Sequence, residues 1–289
     1  EIGFLSSFNH LIRIEKIGKY FSYVCSAVAS LALVLIIGFI VIKGAPQVKW
    51  DLLFGEFVLA EKISIFPSII TTLITVAISL VIALPTGIAT AVFLNEYTKK
   101  NSIFVKVIRG AINVLSGIPS IVYALFGMVT FVVWFGNKIS ILAGSFTIAI
   151  MLLPTIVRST EESLKAVGEG LREGSLALGA GKVRTIFKIV LPSALPGITS
   201  AIILSIGRVV SESAPFMYTM GSTLSPIPTG VMDSGTTLAV ALYKLSGEGY
   251  YVNEAYATAF VLLIIVLILN TLAGVVSGKI EKKLKGNKK

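Results

Sequence analysis

The chain has 289 residues, of which 55% are hydrophobic and only 14% are charged, and its mean hydropathy is +0.89. A soluble domain would carry about a quarter charged residues, so the composition excludes that class and predicts an all-α polytopic membrane protein. The net charge of +10 does not indicate nucleic-acid binding, because the basic residues lie in short connections between apolar runs rather than on one folded surface.

Six apolar runs are long enough to cross a hydrocarbon core of about 30 Å. They are Tyr20–Ile42, Pro67–Leu94, Gly110–Phe135, Ile139–Val157, Ser193–Met217 and Tyr256–Gly278. Pro85 predicts a kink in the second run, and residues 116–119 (Ser, Gly, Ile, Pro) predict an interruption of the third. After the fifth run, residues 224–230 predict a loop and residues 237–245 a short helix near the outer face, which is either a surface cap or a docking surface.

The basic residues predict the orientation of these spans. Of the 25 Lys and Arg residues, 19 fall on one side of the six runs, five on the other and one inside a run. This asymmetry places both termini and the loop of residues 158–192 in the cytoplasm.

Three parts follow from this topology. Residues 1–66 hold an N-terminal cytoplasmic segment, the first span and an external loop. Residues 67–278 form the membrane domain, and residues 279–289 form a basic cytoplasmic tail that we expect to contact anionic membrane lipid.

The loop of residues 158–192 predicts three short helices. Ser159 and Glu162 have the spacing of a capping box and predict a helix start. A second helix, residues 171–178, should end at Gly179. The third begins near Lys182 and carries an apolar stripe of Val183, Ile186, Phe187 and Val190. Such short helices need a surface to pack on, which is either the chain's own spans or a groove in a cytoplasmic partner.

Gly181 and Lys182 resemble the end of a phosphate-binding loop, but the pattern fails. That motif would need Gly at position 176 and Ser or Thr at 183, where the chain has Leu176 and Val183. We therefore expect no nucleotide site and no cofactor in this chain. With one cysteine and one histidine we expect no Cys/His metal site either.

The same loop resembles the EAA loop of binding-protein-dependent ABC importer permeases. The positions that match in spacing are Glu173, Gly174, Ser175, Gly179, Ile189, Leu191 and Pro192. Gly174 and Ser175 replace the usual alanines, which weakens the local helix by roughly 1–1.5 kcal/mol together. The resemblance implies a type I (MetI-like) permease fold with short coupling helices. It also implies that the loop docks on a separate ATP-binding subunit, which holds MgATP and hydrolyses it.

Two charges lie inside the fifth apolar run. Arg208 and Glu212 are four residues apart and share a helix face with Ser205. Charges in a membrane span are costly and usually functional. One interpretation is an ion pair that fixes helix packing. The other is a substrate path in which Arg208 presents a planar donor fork to an oxyanion while Glu212 positions it and limits the affinity.

Residues 207–215 resemble the matching stretch of phosphate importer permeases of the PstA type, with agreement at Arg208, Glu212, Ala214 and Pro215. Ser211 and Ser213 depart from the usual Gly and Thr. The resemblance implies a place in the inner or plasma membrane of a prokaryotic cell. It also implies three kinds of protein partner: a PstC-like permease subunit, a dimer of PstB-like ATP-binding subunits, and a PstS-like external phosphate-binding protein.

Several alternatives stay open at this point. The chain resembles a PstC-type permease less closely, and permeases for sulfate, molybdate or phosphonate would also use an arginine fork. A proton-coupled secondary transporter using Glu212 is a rival of another class. A membrane enzyme is disfavoured because no catalytic constellation is visible among the scattered carboxylates and the single His10.

Overall fold

A computed structural model describes residues 2–55, 63–99, 102–134, 136, 138–224, 226–247, 249 and 251–285, and for residues 2–17, 284 and 285 it describes the backbone only. Every regular element in these residues is helical, as predicted. The helices are α1 Ile2–Gly44, α2 Trp50–Phe54, α3 Phe66–Val92, α4 Ile103–Gly117, α5 Ser120–Gly127, α6 Ile141–Ala166, α7 Glu169–Ala177, α8 Lys182–Thr185, α9 Leu191–Ser211, α10 Ala214–Thr219, α11 Leu238–Gly247 and α12 Val252–Lys285. A 3₁₀ turn spans Ala45–Gln47, and π-helical turns span Phe93–Tyr97, Met128–Trp134 and Ile186–Val190.

Five helical segments are long and apolar enough to cross a membrane, or six when the bent pair of α4 and α5 counts as one. The predicted fold class is therefore confirmed. Helix α11 follows the loop of residues 220–237, as predicted for that part of the chain. Helix α12 continues past Gly278 to Lys285, while residues 286–289 of the predicted tail lie outside the described residues.

The third predicted span is interrupted more strongly than expected. Helices α4 and α5 meet at an angle of 104°. Pro119 lacks a backbone N–H and disfavours helical geometry at Ile118, so both residues are extended. The carbonyl of Leu115 accepts from the Ile118 N–H at 3.2 Å and also from the hydroxyl of Tyr123 at 2.8 Å, which ties the two helices together across the bend. Residues 110–134 thus form two helical segments rather than one straight span.

The predicted helix start at Ser159 is wrong. Helix α6 continues without a break from Ile141 to Ala166, and Ser159 lies inside it, where its carbonyl accepts from the Ser163 hydroxyl at 2.6 Å. The fourth span is therefore longer than the predicted Ile139–Val157. Tertiary packing extends it, because Leu164 is buried against the neighbouring helices.

The fifth predicted span differs at both ends. The chain is helical from Lys182 through the π turn and α9 to Ser211, so Pro192 does not separate the coupling segment from the span. The helix ends at Glu212, and α10 begins at Ala214 with Pro215 in its first turn. Proline is favoured in a first turn, where no backbone donor is needed. The end of the predicted loop, residues 182–190, and helix α9 therefore form one continuous helical segment.

Helices α3, α6 and α9 form the centre of the bundle. Ile148, Leu152 and Ile156 of α6 are fully buried between them. Gly197 of α9 lies directly against Ser163 of α6, with no room for a Cβ atom, and this close approach fixes the register of the two helices. We call the end of the bundle that carries residues 167–181 the loop end, and the opposite end the far end.

Helix α1 stands apart from this bundle. Its apolar residues from 20 to 37 are exposed, and it joins the other helices near Gly44, which packs on Tyr256 and Phe260 of α12. At the far end, the loop of residues 220–237 covers the start of α6: the backbone N–H groups of Ile141 and Leu142 donate to the carbonyls of Asp233 and Val231, both at 2.9 Å. The far end of α6 is thus capped by backbone from the loop.

Candidate coupling loop and transport path

Helix α7 carries the first matched positions of the EAA-like loop, and its end explains the glycine at position 179. Gly179 has a φ of +83°, a left-handed conformation that glycine adopts without strain. Its N–H donates to the Leu176 carbonyl at 2.9 Å, and the N–H of Ala180 donates to Ser175 at 3.1 Å. The chain reverses here and enters α8, so the predicted helix end at Gly179 is confirmed.

Ser175 has a role that the sequence did not reveal. Its hydroxyl lies 2.9 Å from that of Thr185 on α8, and both residues are buried. This hydrogen bond joins the two arms of the loop and offsets the low helix propensity of serine. Gly174 is exposed and has open space around it, so no contact in this chain explains the glycine.

Arg172 holds the loop to the membrane helices. Its guanidinium lies 2.9 Å from a carboxylate oxygen of Glu96, in the π turn after α3. It also donates to the carbonyls of Val167 and Leu164 at the end of α6, at 2.6 and 2.7 Å. The side chains of Arg172 and Glu96 are only 18% and 9% exposed. One arginine thus connects α3, α6 and α7.

The second arm of the loop is held on the same π turn. The ammonium group of Lys182 lies 5.2 Å from the ring centroid of Tyr97, a distance that permits a cation–π interaction. Glu96 and Tyr97 are neighbours in sequence, so one turn of the chain contacts both α7 and α8. Neither Arg172, Glu96 nor Tyr97 was predicted. The contacts to Glu96 and Tyr97 join distant parts of the chain, which no local pattern indicates.

Five large apolar side chains are exposed at the loop end. They are Leu171 (52% exposed), Leu176 (50%), Leu178 (90%), Val183 (59%) and Phe187 (58%), and we call this group the coupling patch. The predicted apolar stripe is therefore divided: Val183 and Phe187 are exposed, whereas Ile186 and Val190 are buried against the bundle. Packing on the chain's own spans therefore occurs for Ile186 and Val190, while Val183 and Phe187 are left exposed. Several large apolar side chains exposed at one end of a bundle are typical of an interaction site.

The remaining matched positions lie on both sides of this surface. Glu173 is exposed at the end of the bundle, whereas Ile189, Leu191 and Pro192 are half-buried. Leu191 packs on the apolar core at the loop end. These three residues therefore connect the loop to α9.

Arg208 and Glu212 form the predicted ion pair. The Arg208 Nε atom is 3.5 Å from a carboxylate oxygen of Glu212, with side chains 35% and 17% exposed. The N–H of Glu212 donates to the Arg208 carbonyl at 3.1 Å, so Glu212 caps the helix and does not lie in its interior. A cation in the last turn of α9 is stabilised by the helix dipole. The pair is thus formed within one chain, yet Arg208 keeps accessible surface.

Ser205 does not share that accessible surface. It is fully buried, and its hydroxyl donates to the Ala201 carbonyl of its own helix at 2.7 Å. The prediction that Ser205 lines a path with Arg208 is therefore corrected: Ser205 faces the core between α9 and its neighbours. The exposed face of α9 instead carries Ser200, Leu204 and Ser211.

Tyr123 packs in the same buried apolar cluster as Val209 and Val210, the two residues that follow Arg208 on α9. Its hydroxyl donates to Leu115 at the end of α4. The bend between α4 and α5 therefore packs into the core that includes the last turn of α9.

Comparison with known proteins agrees with these features. Residues 83–286 match the family described as the inner membrane component of binding-protein-dependent transport systems. The chain belongs to this family.

Relatives and solved structures extend the match to most of the chain. A probable ABC transporter permease, YqgI of Bacillus subtilis, is 31% identical over 94% of this chain and 98% of its own length. The phosphate transport system permease protein PstA of Mycobacterium leprae is 38% identical over 64% of this chain and 61% of its own length. The predicted resemblance to PstA-type permeases is therefore confirmed.

The solved structures show the same fold. A bacterial ABC transporter involved in the import of the acidic polysaccharide alginate superposes with a TM-score of 0.65, covering 92% of this chain and 98% of the other at 15% identity. The MetNI methionine ABC transporter superposes with a TM-score of 0.53 over 76% of this chain and 94% of the other at 23% identity. The predicted MetI-like type I fold is confirmed.

Proposed function

We propose that this chain is a PstA-type transmembrane subunit of an ATP-driven importer of inorganic phosphate. The observation that carries the proposal is the Arg208–Glu212 pair, which leaves an arginine fork accessible within an otherwise apolar span. The relatives named as PstA support phosphate as the substrate. The chain's own contribution is to form half of the path and to move it.

Arg208 would contact the anion directly or through water. A guanidinium offers several donors in one plane, which suits the oxygens of phosphate. Glu212 keeps Arg208 in place and competes with the anion for it, so binding stays weak enough for release. Transport through a membrane requires this balance, because a site that binds too tightly does not release its ligand.

The coupling patch would receive the ATP-binding subunit. The exposed side chains of Leu178 and Phe187, together with the exposed Glu173, form a surface at the end of the bundle that a groove in a partner can bury. A movement imposed there passes directly to α9, because residues 182–211, including the π turn, form one continuous helical segment. MgATP and its hydrolysis would belong to the partner.

The loop end would face the cytoplasm. The 19-to-5 division of basic residues supports this orientation, with both termini on the same side. A PstC-like subunit would supply the other half of the path, two PstB-like subunits would bind the loops, and a PstS-like protein would deliver phosphate at the far end.

Reconstitution tests this function. The chain is purified with its partner subunits and placed in liposomes, and uptake of labelled phosphate is measured with ATP supplied on the side of the ATP-binding subunits. We expect vanadate-sensitive uptake that excess sulfate does not compete away. Competition by sulfate, molybdate or phosphonate would reassign the substrate.

The same liposomes distinguish a proton-coupled transporter. Uptake that stops on adding an uncoupler and proceeds without ATP would replace the proposed mechanism by a secondary transporter using Glu212. Failure to recover any ATPase with the chain from native membranes would also contradict it.

A further inference from the structure

A polar cavity lies at the loop end between α4 and α6, apart from the coupling patch and from Arg208. Its volume is about 200 Å³. The polar residues that line it are Arg109, Asn113, Arg158, Glu161, Glu162 and Lys165. Ligand cavities are usually mostly apolar, so a small cavity in which all but one of the lining residues, Ile112, are charged or amide residues favours a small charged ligand.

The charges around the cavity are not balanced. Arg109 and Lys165 both contact the same carboxylate oxygen of Glu161, at 2.5 and 2.8 Å, so one negative charge is shared by two cations. The guanidinium of Arg158 donates to the side-chain oxygen of Asn113, and among the described residues no carboxylate lies within salt-bridge distance of it. With Glu162 included, three positive and two negative side chains surround the cavity. One monovalent anion would make the group neutral.

Arg109 also has an unused donor. Its Nε atom is buried and has no hydrogen-bond partner among the described residues. A buried donor left unpaired is costly, and nearly all buried polar groups in proteins have a partner. Glu161 also lines the cavity, and its Oε1 atom is likewise buried without a hydrogen-bond partner among these residues, although it lies at ion-pair distance from Arg109 and Lys165. A monovalent phosphate group carries both an acceptor oxygen for Arg109 and a hydroxyl donor for Glu161. This observation is independent of the charge balance.

The cavity is connected to the last turn of α9, which carries Arg208, through the end of α4. Asn113 contacts Arg158 at the cavity, and Leu115, two residues further on, accepts from Tyr123, which packs in the same core cluster as Val209 and Val210 of α9. Gly197 packs on Ser163 at the level of the cavity. Arg208 is eleven residues beyond Gly197, about 16 Å along the helix. An anion that leaves Arg208 toward the loop end would therefore travel about three helical turns to reach this level.

We propose that this cavity binds a phosphate-type oxyanion, with Arg158 and Asn113 as its accessible donors. The oxyanion has two sources. One is inorganic phosphate that has passed Arg208, which rests on the proposed function. The other is the headgroup phosphate of a membrane lipid, since basic cavities between membrane helices at the cytoplasmic face bind anionic headgroups. The partial neutralisation of Arg109 and Lys165 by Glu161 keeps the affinity low.

Arg158→Gln is the variant that tests the cavity. Arg158 is exposed, so the change does not leave a buried carboxylate unpaired, whereas replacing Arg109 would remove a cation from the buried Glu161. Lys106→Gln is the matched control, because Lys106 is an exposed cation on α4 that does not line the cavity. The Arg158→Gln and Lys106→Gln variants are made in the complete transporter and studied in nanodiscs. Both also carry Arg208→Gln, which removes the proposed anion contact in the span.

Two measurements separate the sources. Equilibrium dialysis with labelled inorganic phosphate counts binding of the free anion, and native mass spectrometry counts phospholipids retained from nanodiscs with or without phosphatidylglycerol. We expect Arg158→Gln to weaken either phosphate binding or lipid retention by at least roughly tenfold. Lys106→Gln should change neither. Loss of phosphate binding assigns the free anion, and loss of one retained lipid assigns a headgroup. No difference between the two variants in either measurement would overturn the proposal.

A failure of the proposed function can be distinguished from a failure of the cavity proposal. The wild-type transporter would then show no ATP-dependent phosphate uptake, while the binding and lipid measurements on Arg158→Gln would still report on the cavity.

Discussion

Arg172 and Glu96 lie 76 positions apart in the chain and form a short, mostly buried ion pair, with 2.9 Å between guanidinium and carboxylate. Because Arg172 also donates to two carbonyls at the end of α6, the pair connects the loop to two membrane helices at once. It gives the loop a fixed position relative to the bundle, so a force on the coupling patch acts on α3 and α6 as well as on α9.

Replacing this arginine should reduce coupling between ATP hydrolysis and transport. Arg172→Gln leaves a mostly buried carboxylate without its cation, and we expect it to lower the free energy of unfolding by about 2–3 kcal/mol. We also expect more ATP hydrolysed per phosphate taken up. Denaturant unfolding and parallel measurement of hydrolysis and uptake in liposomes check both effects.

Two further variants separate charge from position. Arg184→Gln removes an exposed arginine of the same loop and should leave stability unchanged. Exchange of the two charges, Arg172→Glu with Glu96→Arg, should restore part of the coupling. If the exchanged variant coupled no better than Arg172→Gln, the ion pair would not be the element that matters.

The hydrogen bond between Ser175 and Thr185 predicts an asymmetry between two variants. In Ser175→Ala the Thr185 hydroxyl keeps an acceptor, the carbonyl of Gly181 at 3.2 Å, and alanine is the better helix former. The loss should therefore be under about 1 kcal/mol. In Thr185→Val the buried Ser175 hydroxyl loses its partner, which should cost about 1–3 kcal/mol. Thermal unfolding of the two purified variants checks the order, and equal effects would contradict it.

The exposed coupling patch predicts a loss of assembly without a loss of stability. Leu178 is 90% exposed, so Leu178→Ser should leave unfolding unchanged and reduce the amount of ATP-binding subunit recovered with the chain. Ile103→Ser, at an exposed apolar position on α4 of the same end, serves as the control. Equal recovery of the ATPase with both variants would place the docking surface elsewhere.

The arginine in the fifth span predicts a loss of transport at constant assembly. Arg208→Gln removes the charge and the fork, and we expect phosphate uptake to stop while the subunits still co-purify. Arg208→Lys keeps the charge without the planar donors and should retain only a small part of the activity. Uptake of labelled phosphate with quantified assembly is the measurement, and near-normal uptake by Arg208→Gln would exclude an essential anion contact.

The far-end loop predicts a pH dependence at Asp233. The hydroxyl of Thr229 and the backbone N–H groups of Gly230 and Thr229 donate to its carboxylate and hold its pKa below the ordinary 3.8. Because the folded pKa is lowered, the stabilisation is present above pH 3.8 and is lost as the pH falls through the folded pKa. Limited proteolysis at a series of pH values measures this stabilisation. We expect the loop to be protected at pH values above 3.8 and to be cleaved increasingly as the pH falls below that value. Asp233→Asn should be cleaved similarly at all of these pH values.

Local sequence could predict the loop and the ion pair, but not which residues near them are buried. The spacing from Glu173 to Pro192 is a pattern within one segment, and Arg208 and Glu212 are one helical turn apart, so both could be recognised without a structure. The burial of Ser205 could not be predicted, because it depends on which side of α9 faces the other helices. The same holds for the stripe of Val183, Ile186, Phe187 and Val190, of which tertiary packing buries only half.

Membrane insertion, helical fold and family follow from the sequence alone. Apolar runs of sufficient length and their flanking charges reflect the cost of placing polar groups in hydrocarbon, and the spacing of the motif can be read within one segment of the chain. Tertiary structure decided the 104° bend, the continuous helical segment from Lys182 to Ser211, and the attachment of the loop through Arg172 and Glu96. The attachment depends on a contact between residues that are distant in the chain, which forms only when the helices pack together. Pro119 predicts an interruption of the third span, but not the angle between α4 and α5.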